Sequence, residues 1–371
     1  MEKAAGCALA AASLLVAAAL HAQPAADVAG TASGTDQAAA EPVRAAQPAR
    51  LAAKGLLIAL AAAGERLVAV GDRGIIVLSD DRGASWRQAE FVPTQALLTG
   101  VCFLDAQRGV AVGHDEVILT TADGGRTWKR THYAPEAQGP LLDVWCGTGG
   151  EVIAVGAYSA YLLSADGGAS WRRLKFAPKA APAVTGRAGA RRAAPAASGA
   201  DAEEEARDDF HLNRIVGAGA GRLYIAGEAG HLYASDDSGA TWRTLASPYE
   251  GSFFGVLPLP GEAMLAFGLR GHLFRTVDAG ASWQPIETGT LAMLTGAVPF
   301  DAGAVAIVGL SGVVLVSRDG GRSFTLLQQA DRAGLSAVAA ASGDRIAVVG
   351  ENGARLISLA AAPAAARGSS P

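Results

Sequence analysis

The stretch SDDRGASWR, residues 79–87, puts two acids, a glycine, two small residues and a tryptophan into one short polar run. The chain repeats it as TADGGRTWK (121–129), SADGGASWR (164–172), SDDSGATWR (235–243), TVDAGASWQ (276–284) and SRDGGRSFT (317–325). A unit that returns six times is structural before it is chemical, and its period decides the fold. The aromatic positions Trp86, Trp128, Trp171, Trp242, Trp283 and Phe324 are separated by 42, 43, 71, 41 and 41 residues. The long interval holds a low-complexity stretch, and subtracting roughly 30 residues for it restores the period.

The half of the unit that precedes the turn also repeats, as LVAVGDRGIIVLS, GVAVGHDEVILTT, VIAVGAYSAYLLS, LYIAGEAGHLYAS, MLAFGLRGHLFRT, VAIVGLSGVVLVS and IAVVGENGARLIS. That makes seven copies against six aromatic turns. Each copy reads as four short strands separated by Gly- and Asp-rich turns, with β-branched residues and no 3.6-residue stripe. A repeat of this length with four antiparallel strands is a propeller blade. The predicted fold is therefore all-β, a seven-bladed β-propeller with four-stranded antiparallel blades. The seventh copy dissolves after its third strand into AAAPAAARGSSP, so either residues within 43–52 donate its outer strand and remove an exposed edge, which is the expectation, or the last blade is three-stranded.

The turns share the form S/T-x-D-x-G-x-S/T-W/F, which resembles the Asp box, or BNR repeat. The acid (Asp81, Asp123, Asp166, Asp237, Asp278, Asp319) can accept backbone N–H bonds and cap the turn. The glycine (Gly83, Gly125, Gly168, Gly239, Gly280, Gly321) suits a backbone with positive φ. The aromatic (Trp86, Trp128, Trp171, Trp242, Trp283, Phe324) then opens the outer strand and packs beneath the hairpin, stapling third strand to fourth. Glycosidases such as sialidases also carry Asp boxes, so a glycoside hydrolase or sugar-binding propeller is the alternative function. A retaining glycosidase needs two carboxylates about 5 Å apart, or a Tyr nucleophile in sialidases. Six equivalent acids spaced around a ring cannot converge, and Tyr158, Tyr161, Tyr224, Tyr233 and Tyr249 read as strand residues.

With 371 residues, half of them hydrophobic, 47 glycines and a net charge of -4, the chain reads as a globular protein without a nucleic-acid signature. Residues 1–22 have the grammar of a cleaved secretory signal: Lys3, an apolar run from Ala4 to Leu20, and small residues near Ala22. The run falls short of the roughly 20 residues a spanning helix needs. Cleavage removes Cys7 and leaves Cys102 and Cys146, read either as two buried small hydrophobes or as a disulfide between neighbouring strands. The six histidines (21, 114, 132, 211, 231, 272) lack metal-ligand spacing, and no cofactor or metal is expected. The propeller spans 51–359; residues 23–50, the insert 178–209 and the tail 360–371 lack the large apolar groups that offset ordering entropy and are expected to be flexible.

In an up-and-down blade the turns after strands one and three share one face, while the turns after strand two and the links between blades share the other. The Asp boxes thus occupy a box face, and the G-x-x-G turns and the charged insert a link face. The link-face turns vary between copies, which is what a recognition surface on a fixed scaffold looks like. Its candidate binding residues are Arg73, His114, Asp115, Glu116, Tyr158, Glu228 and Arg270, with Arg214 added from the fourth repeat and Asp72, Glu351 and Asn352 nearby.

The AVG-x-x-G strands, Asp boxes and seven-fold count over 51–359 together resemble the BNR propellers related to the photosystem II stability and assembly factor. That resemblance implies an exported, non-enzymatic protein that holds subunits of a membrane complex during assembly. It implies a protein partner, here an envelope or membrane complex such as a transporter, and relatives of the family also occur in bacteria without photosynthesis. Photosynthetic members carry a surface arginine cluster, for which Arg73, Arg214 and Arg270 are the scattered candidates.

Overall fold

Runs such as Arg66–Gly71 and Gly109–Gly113 are apolar at nearly every position rather than at alternate ones, the pattern of a strand covered on both faces. The computed structural model describes residues 44–137, 139–180, 210–301 and 303–360 and forms seven antiparallel sheets from them. Six sheets have four strands in chain order, as in blade 1 with Leu57–Ala63, Arg66–Gly71, Ile76–Ser79 and Arg87–Gln88. The second strands sit mid-blade, sandwiched between neighbouring blades. The first strands touch one another in succession, and that of blade 7, Leu335–Ala340, returns to Leu57–Ala63 to complete the ring. A register shift follows the first residue of most first strands and turns the next side chain toward the neighbouring blade. There Thr99 Oγ1 donates to Leu141 O at 2.6 Å, Asn213 Nδ2 to Phe253 O at 2.8 Å and Thr295 Oγ1 to Leu335 O at 2.7 Å.

Every Asp box makes the same four bonds. In the first, Ser79 Oγ donates to Asp81 Oδ1 at 2.7 Å and accepts Gly83 N–H at 2.7 Å, while Asp81 accepts both the N–H and the hydroxyl of Ser85. The other five repeat this set around Asp123, Asp166, Asp237, Asp278 and Asp319. The acid caps the turn as its chemistry suggests, but the first hydroxyl is an equal hub, since it serves both acid and glycine.

The staple reaches further than from third strand to fourth. Each box aromatic packs into the core shared with the preceding blade: Trp128 with Val68, Ile76 and Leu78, Trp242 with Ile153 and Tyr161, and Trp86 with Ala337, Val349 and Ala354 of blade 7. The glycine is needed for the same contact as well as for its positive φ. A Cβ at Gly125 would lie 3.1 Å from Leu78, at Gly239 2.5 Å from Ile153 and at Gly83 3.0 Å from Ala347, all on the blade before.

The ring closes differently from expectation. Blade 7 has three strands among the described residues, and residues 44–50 lie beside blade 1 instead of completing it. Ala46 N–H bonds to Val92 O at 2.9 Å, and the Gln88 amide clamps Ala49 N and Gln47 O at 2.8 and 2.9 Å. A stretch of Ala, Gln and Pro48 has little β propensity and one missing donor, so it binds piecewise rather than as a strand. These seven residues are therefore held in place, in contrast to the flexible lead expected of them. The signal, the rest of the lead, insert residues 181–209 and tail residues 361–371 lie outside the described residues; Pro178, Lys179 and Ala180 are placed.

Cys102 and Cys146, on the first strands Leu98–Phe103 and Leu141–Cys146 of blades 2 and 3, form a disulfide with Cα atoms 5.7 Å apart. Of the two readings open from sequence, the bonded one holds, because successive first strands are neighbours.

Two predictions follow from the box. Trp128 is 3% exposed whereas Trp86 is only half-buried, so Trp128→Ala should cost about 3–5 kcal/mol in urea unfolding and Trp86→Ala clearly less. The hydroxyl and N–H of Ser85, then Ser79, pull the Asp81 carboxyl down to about 2, and Ser170 and Ser164 do the same for Asp166. A carboxyl depressed in the folded state contributes stability that is complete above its unfolded value near 4 and is lost as pH falls toward 2. Thermal melts should therefore weaken through that window, and Ser85→Ala should lower neutral stability while making the acid dependence shallower.

Candidate binding face

The link-face turns are built by their glycines. The last glycine of G-x-x-G has φ near +70°, and a Cβ there would strike the link backbone: 2.1 Å from Thr94 O at Gly74, 2.1 Å from Tyr249 O at Gly230 and 2.1 Å from Thr290 O at Gly271. The turn and its link thus close on one another. The residue before that glycine, at the centre of the turn, takes left-handed φ even when it has a side chain, as do Arg73, Tyr158 and Arg270 at +52°, +54° and +54° and Asp115 at +58°. Such backbone costs on the order of 1–3 kcal/mol for a non-glycine and persists only where the surroundings impose it. Here the flanking residues impose it, and Arg73, His114, Asp115, Tyr158 and Arg270 are exposed on one face.

Glu116 and Arg214 sit elsewhere than expected. Glu116 occupies the closing-glycine position of blade 2, with φ +46° and only 2% exposure, and its carboxylate turns inward to pair with Arg173 of blade 3 and with His132 Nε2 at 3.5 Å. Burial holds His132 below its ordinary value. Arg214 lies on the first strand of blade 4, Leu212–Gly217, where its Nε is 3.4 Å from Asp143 Oδ2 on the first strand of blade 3. The corresponding positions in other blades are Ala59, Gly100, Gly255, Gly296 and Ala337, so this ion pair replaces small residues where inner strands approach. Burial raises the Asp143 carboxyl, against the Arg214 charge and the N–H groups of Ile215 and Val144. Arg73, Arg214 and Arg270 belong to blades 1, 4 and 5. Glu228 is half-buried, accepting His211 N–H at 3.1 Å, and His211 lies edge-on to Tyr158 at 5.2 Å.

Residues that the sequence reading passed over complete the face. Leu51, Leu56, Leu291 and Leu310 are 72%, 39%, 84% and 38% exposed there, beside Tyr158 at 60%. A bulky apolar residue among the small and polar ones of a link, as in GTLAM, is the signal that could have found Leu291. Among the described residues, the opposite, box face shows Val277 alone of the large exposed apolar side chains, and Phe91 stands at the outer rim.

The residues considered for hydrolysis are otherwise engaged. Each box carboxylate is saturated by its own turn. Tyr161, Tyr224 and Tyr233 are buried strand residues as expected, and Tyr161 donates to Gly239 O at 2.9 Å and accepts from Trp242 Nε1, with burial pushing its hydroxyl up to about 12. Such a phenol is no nucleophile near neutrality. Tyr158 and Tyr249 lie in a turn and a link rather than in strands.

Residues 80–188 match the model of the family described as photosynthesis system II assembly factor YCF48. No curated protein matches the chain in sequence. Among solved structures, YCF48 bound to a D1 peptide aligns with a TM-score of 0.62 at 16% identity, covering 86% of this chain and 97% of that one. YCF48 from Cyanidioschyzon merolae gives 0.60 at 15% identity, with 82% and 95% covered, and the WD40 propeller of Doa1 gives 0.59 at 13%, with 85% and 95% covered. At such identities the structures speak for the fold, and the sequence match over blades 1 to 3 distinguishes among propellers. The chain is thus a seven-bladed propeller with Asp boxes, similar over residues 80–188 to the family of the photosystem II assembly factor YCF48 and similar in fold to YCF48 structures.

Proposed function

We propose that the protein is a non-enzymatic, exported scaffold that holds a membrane or envelope protein complex on its link face and aids its assembly. The observation that carries this reading is the segregation of large exposed apolar side chains: Leu51, Leu56, Tyr158, Leu291 and Leu310 share that face, and the box face has Val277. Exposed apolar groups gathered on one side and rimmed by charged turns are the usual makings of a protein-binding surface. The similarity to YCF48, one structure of which holds a D1 peptide, supports a protein partner. The Cys102–Cys146 disulfide supports export, because such bonds persist in oxidising compartments, and the N-terminal apolar run agrees with it.

A pull-down from solubilised envelope fractions tests the face. Replacing Tyr158, Leu291 and Leu310 by Ser should reduce recovery of a specific complex at least tenfold, and Val277→Ser should leave it unchanged. The opposite pattern, or no specific partner with the unaltered protein, would sink the reading. Export has its own checks. Residues 1–50 should carry a reporter that is active only outside the cytoplasm. Reduction of the disulfide, which spans a sequence separation of 44, should lower stability by about 4 kcal/mol.

A further inference from the structure

At the junctions on either side of the one between blades 2 and 3, the chain's own link runs parallel to the outer edge of the following blade; between blades 2 and 3 no such bridge forms among the described residues. At the junction of blades 1 and 2, the residues after the outer strand of blade 1 cross over and run parallel to blade 2. There Glu90 N–H bonds to Arg126 O at 2.8 Å and Trp128 N–H to Phe91 O at 3.0 Å. Arg66 adds a bond to Gly124 O at 3.0 Å, and Glu90 pairs with Arg126. At the junction of blades 3 and 4, Lys179 does the same work, giving its N–H to Trp242 O and taking Thr244 N–H, both at 2.9 Å.

Between blades 2 and 3 each of these parts is turned away. The outer strand Lys129–His132 stays paired with its own blade as far as His132 opposite Ile118, with a bulge at Thr131, and Tyr133, in Phe91's place, packs back toward blade 1 beneath Arg130. Arg108, in Arg66's place, folds onto Asp105 at 2.7 Å. Leu174 N–H points inward to Tyr161 O, so by strand alternation Arg173 N–H and Trp171 C=O point out of the sheet edge. Their counterparts in blade 4 are the groups that Lys179 satisfies; among the described residues nothing pairs with these two.

The result is a cleft of about 430 Å³, walled by Arg108, Thr120, Lys129 and Thr131 of blade 2 and by Asp166 and Ala169 of blade 3. The Thr131 hydroxyl oxygen is buried without a hydrogen-bond partner among the described residues. Buried polar groups are nearly always paired, so an orphan inside a cleft marks a place for a ligand. Lys129 is exposed and makes no ion pair among the described residues. The Asp166 carboxylate is occupied by Ser164 and Ser170 at the box end.

We propose that this cleft is a docking groove for an extended acidic peptide of a partner protein, laid parallel to the outer edge of blade 3 where the chain's own links lie at the junctions on either side. Main-chain bonds to Arg173 N–H and Trp171 C=O provide affinity, as in other cases of strand addition. Lys129 selects acidic side chains, and Thr131 supplies one further polar contact. The inference rests on the reading of the protein as a scaffold for a protein partner and adds a second contact, away from the link face.

Panning a random heptapeptide library on the full-length protein tests it. Recovered peptides should be rich in acidic residues and should slow amide exchange at Arg173. Lys129→Glu should weaken them at least tenfold, while Lys129→Arg should not. Thr131→Val should weaken them but raise the melting temperature of the free protein, a divergence that a purely structural threonine would not show. Peptides without acids, an affinity indifferent to Lys129→Glu, or protection confined to link-face turns would overturn the groove. The scaffold reading fails separately, if the unaltered protein recovers no specific complex from envelope fractions.

Discussion

Two hydroxyls, a carboxylate and two backbone N–H groups, closed into one turn at the end of six of the third strands, fix where the next aromatic ring goes. Because the ring and the box glycine press on the preceding blade, the same turn sets the spacing between blades. The strand ladders of one blade do not continue into the next, so inter-blade order comes mainly from side-chain packing, with main-chain bonds from a few links beside it. Burying a ring such as Trp128 contributes several kcal/mol at its junction and tolerates little change in volume. The box is therefore the joint of the ring, and its acids are committed to it.

The blade count, the strand order and the division into two faces were legible because they follow from periodicity, and periodicity survives without any knowledge of contacts. The structural meaning of Asp81 was legible for a related reason: five sister copies average away whatever is peculiar to one. What was not legible is whatever depends on the distance between strands remote in sequence. Glu116 looks like one more polar turn residue until its position is seen to be one that usually needs glycine. Arg214 looks like a surface cation until Asp143 is found across the inner strands. The donated strand of blade 7 was reasonable as edge protection, yet residues 44–50 lack the side chains to hold a ladder and take their bonds from Gln88. The exposed leucines were missed because attention went to charge, and apolar residues in links do not disturb the repeat.

Departures from the repeat are not spread evenly. Glu116 and Ser159 replace closing glycines in blades 2 and 3, the disulfide joins those same blades, the Asp143–Arg214 pair joins blades 3 and 4, and the insert leaves between them. Phe210, where the chain resumes, accepts bonds from both the N–H and the hydroxyl of Ser159. Blades 5 to 7 keep the plain pattern of glycines and small inner residues. One arc of the ring has therefore been elaborated with polar and covalent ties while the rest remains generic scaffold.

That blade 7 has three strands among the described residues has a mechanical consequence. Six junctions are backed by a continuous chain, and at all but the one between blades 3 and 4, which carries the insert, a momentary separation is opposed by a short tether. The junction between blades 7 and 1 has no such tether; it is held by Trp86 and Gly83 against blade 7, by the meeting of the first strands and by Ala354 N–H on Ala53 O. Opening it frees both ends at once and exposes two apolar blade faces without breaking a strand pair. The ring is thus a clasped band, and the clasp is the junction at which it can part without lengthening any link.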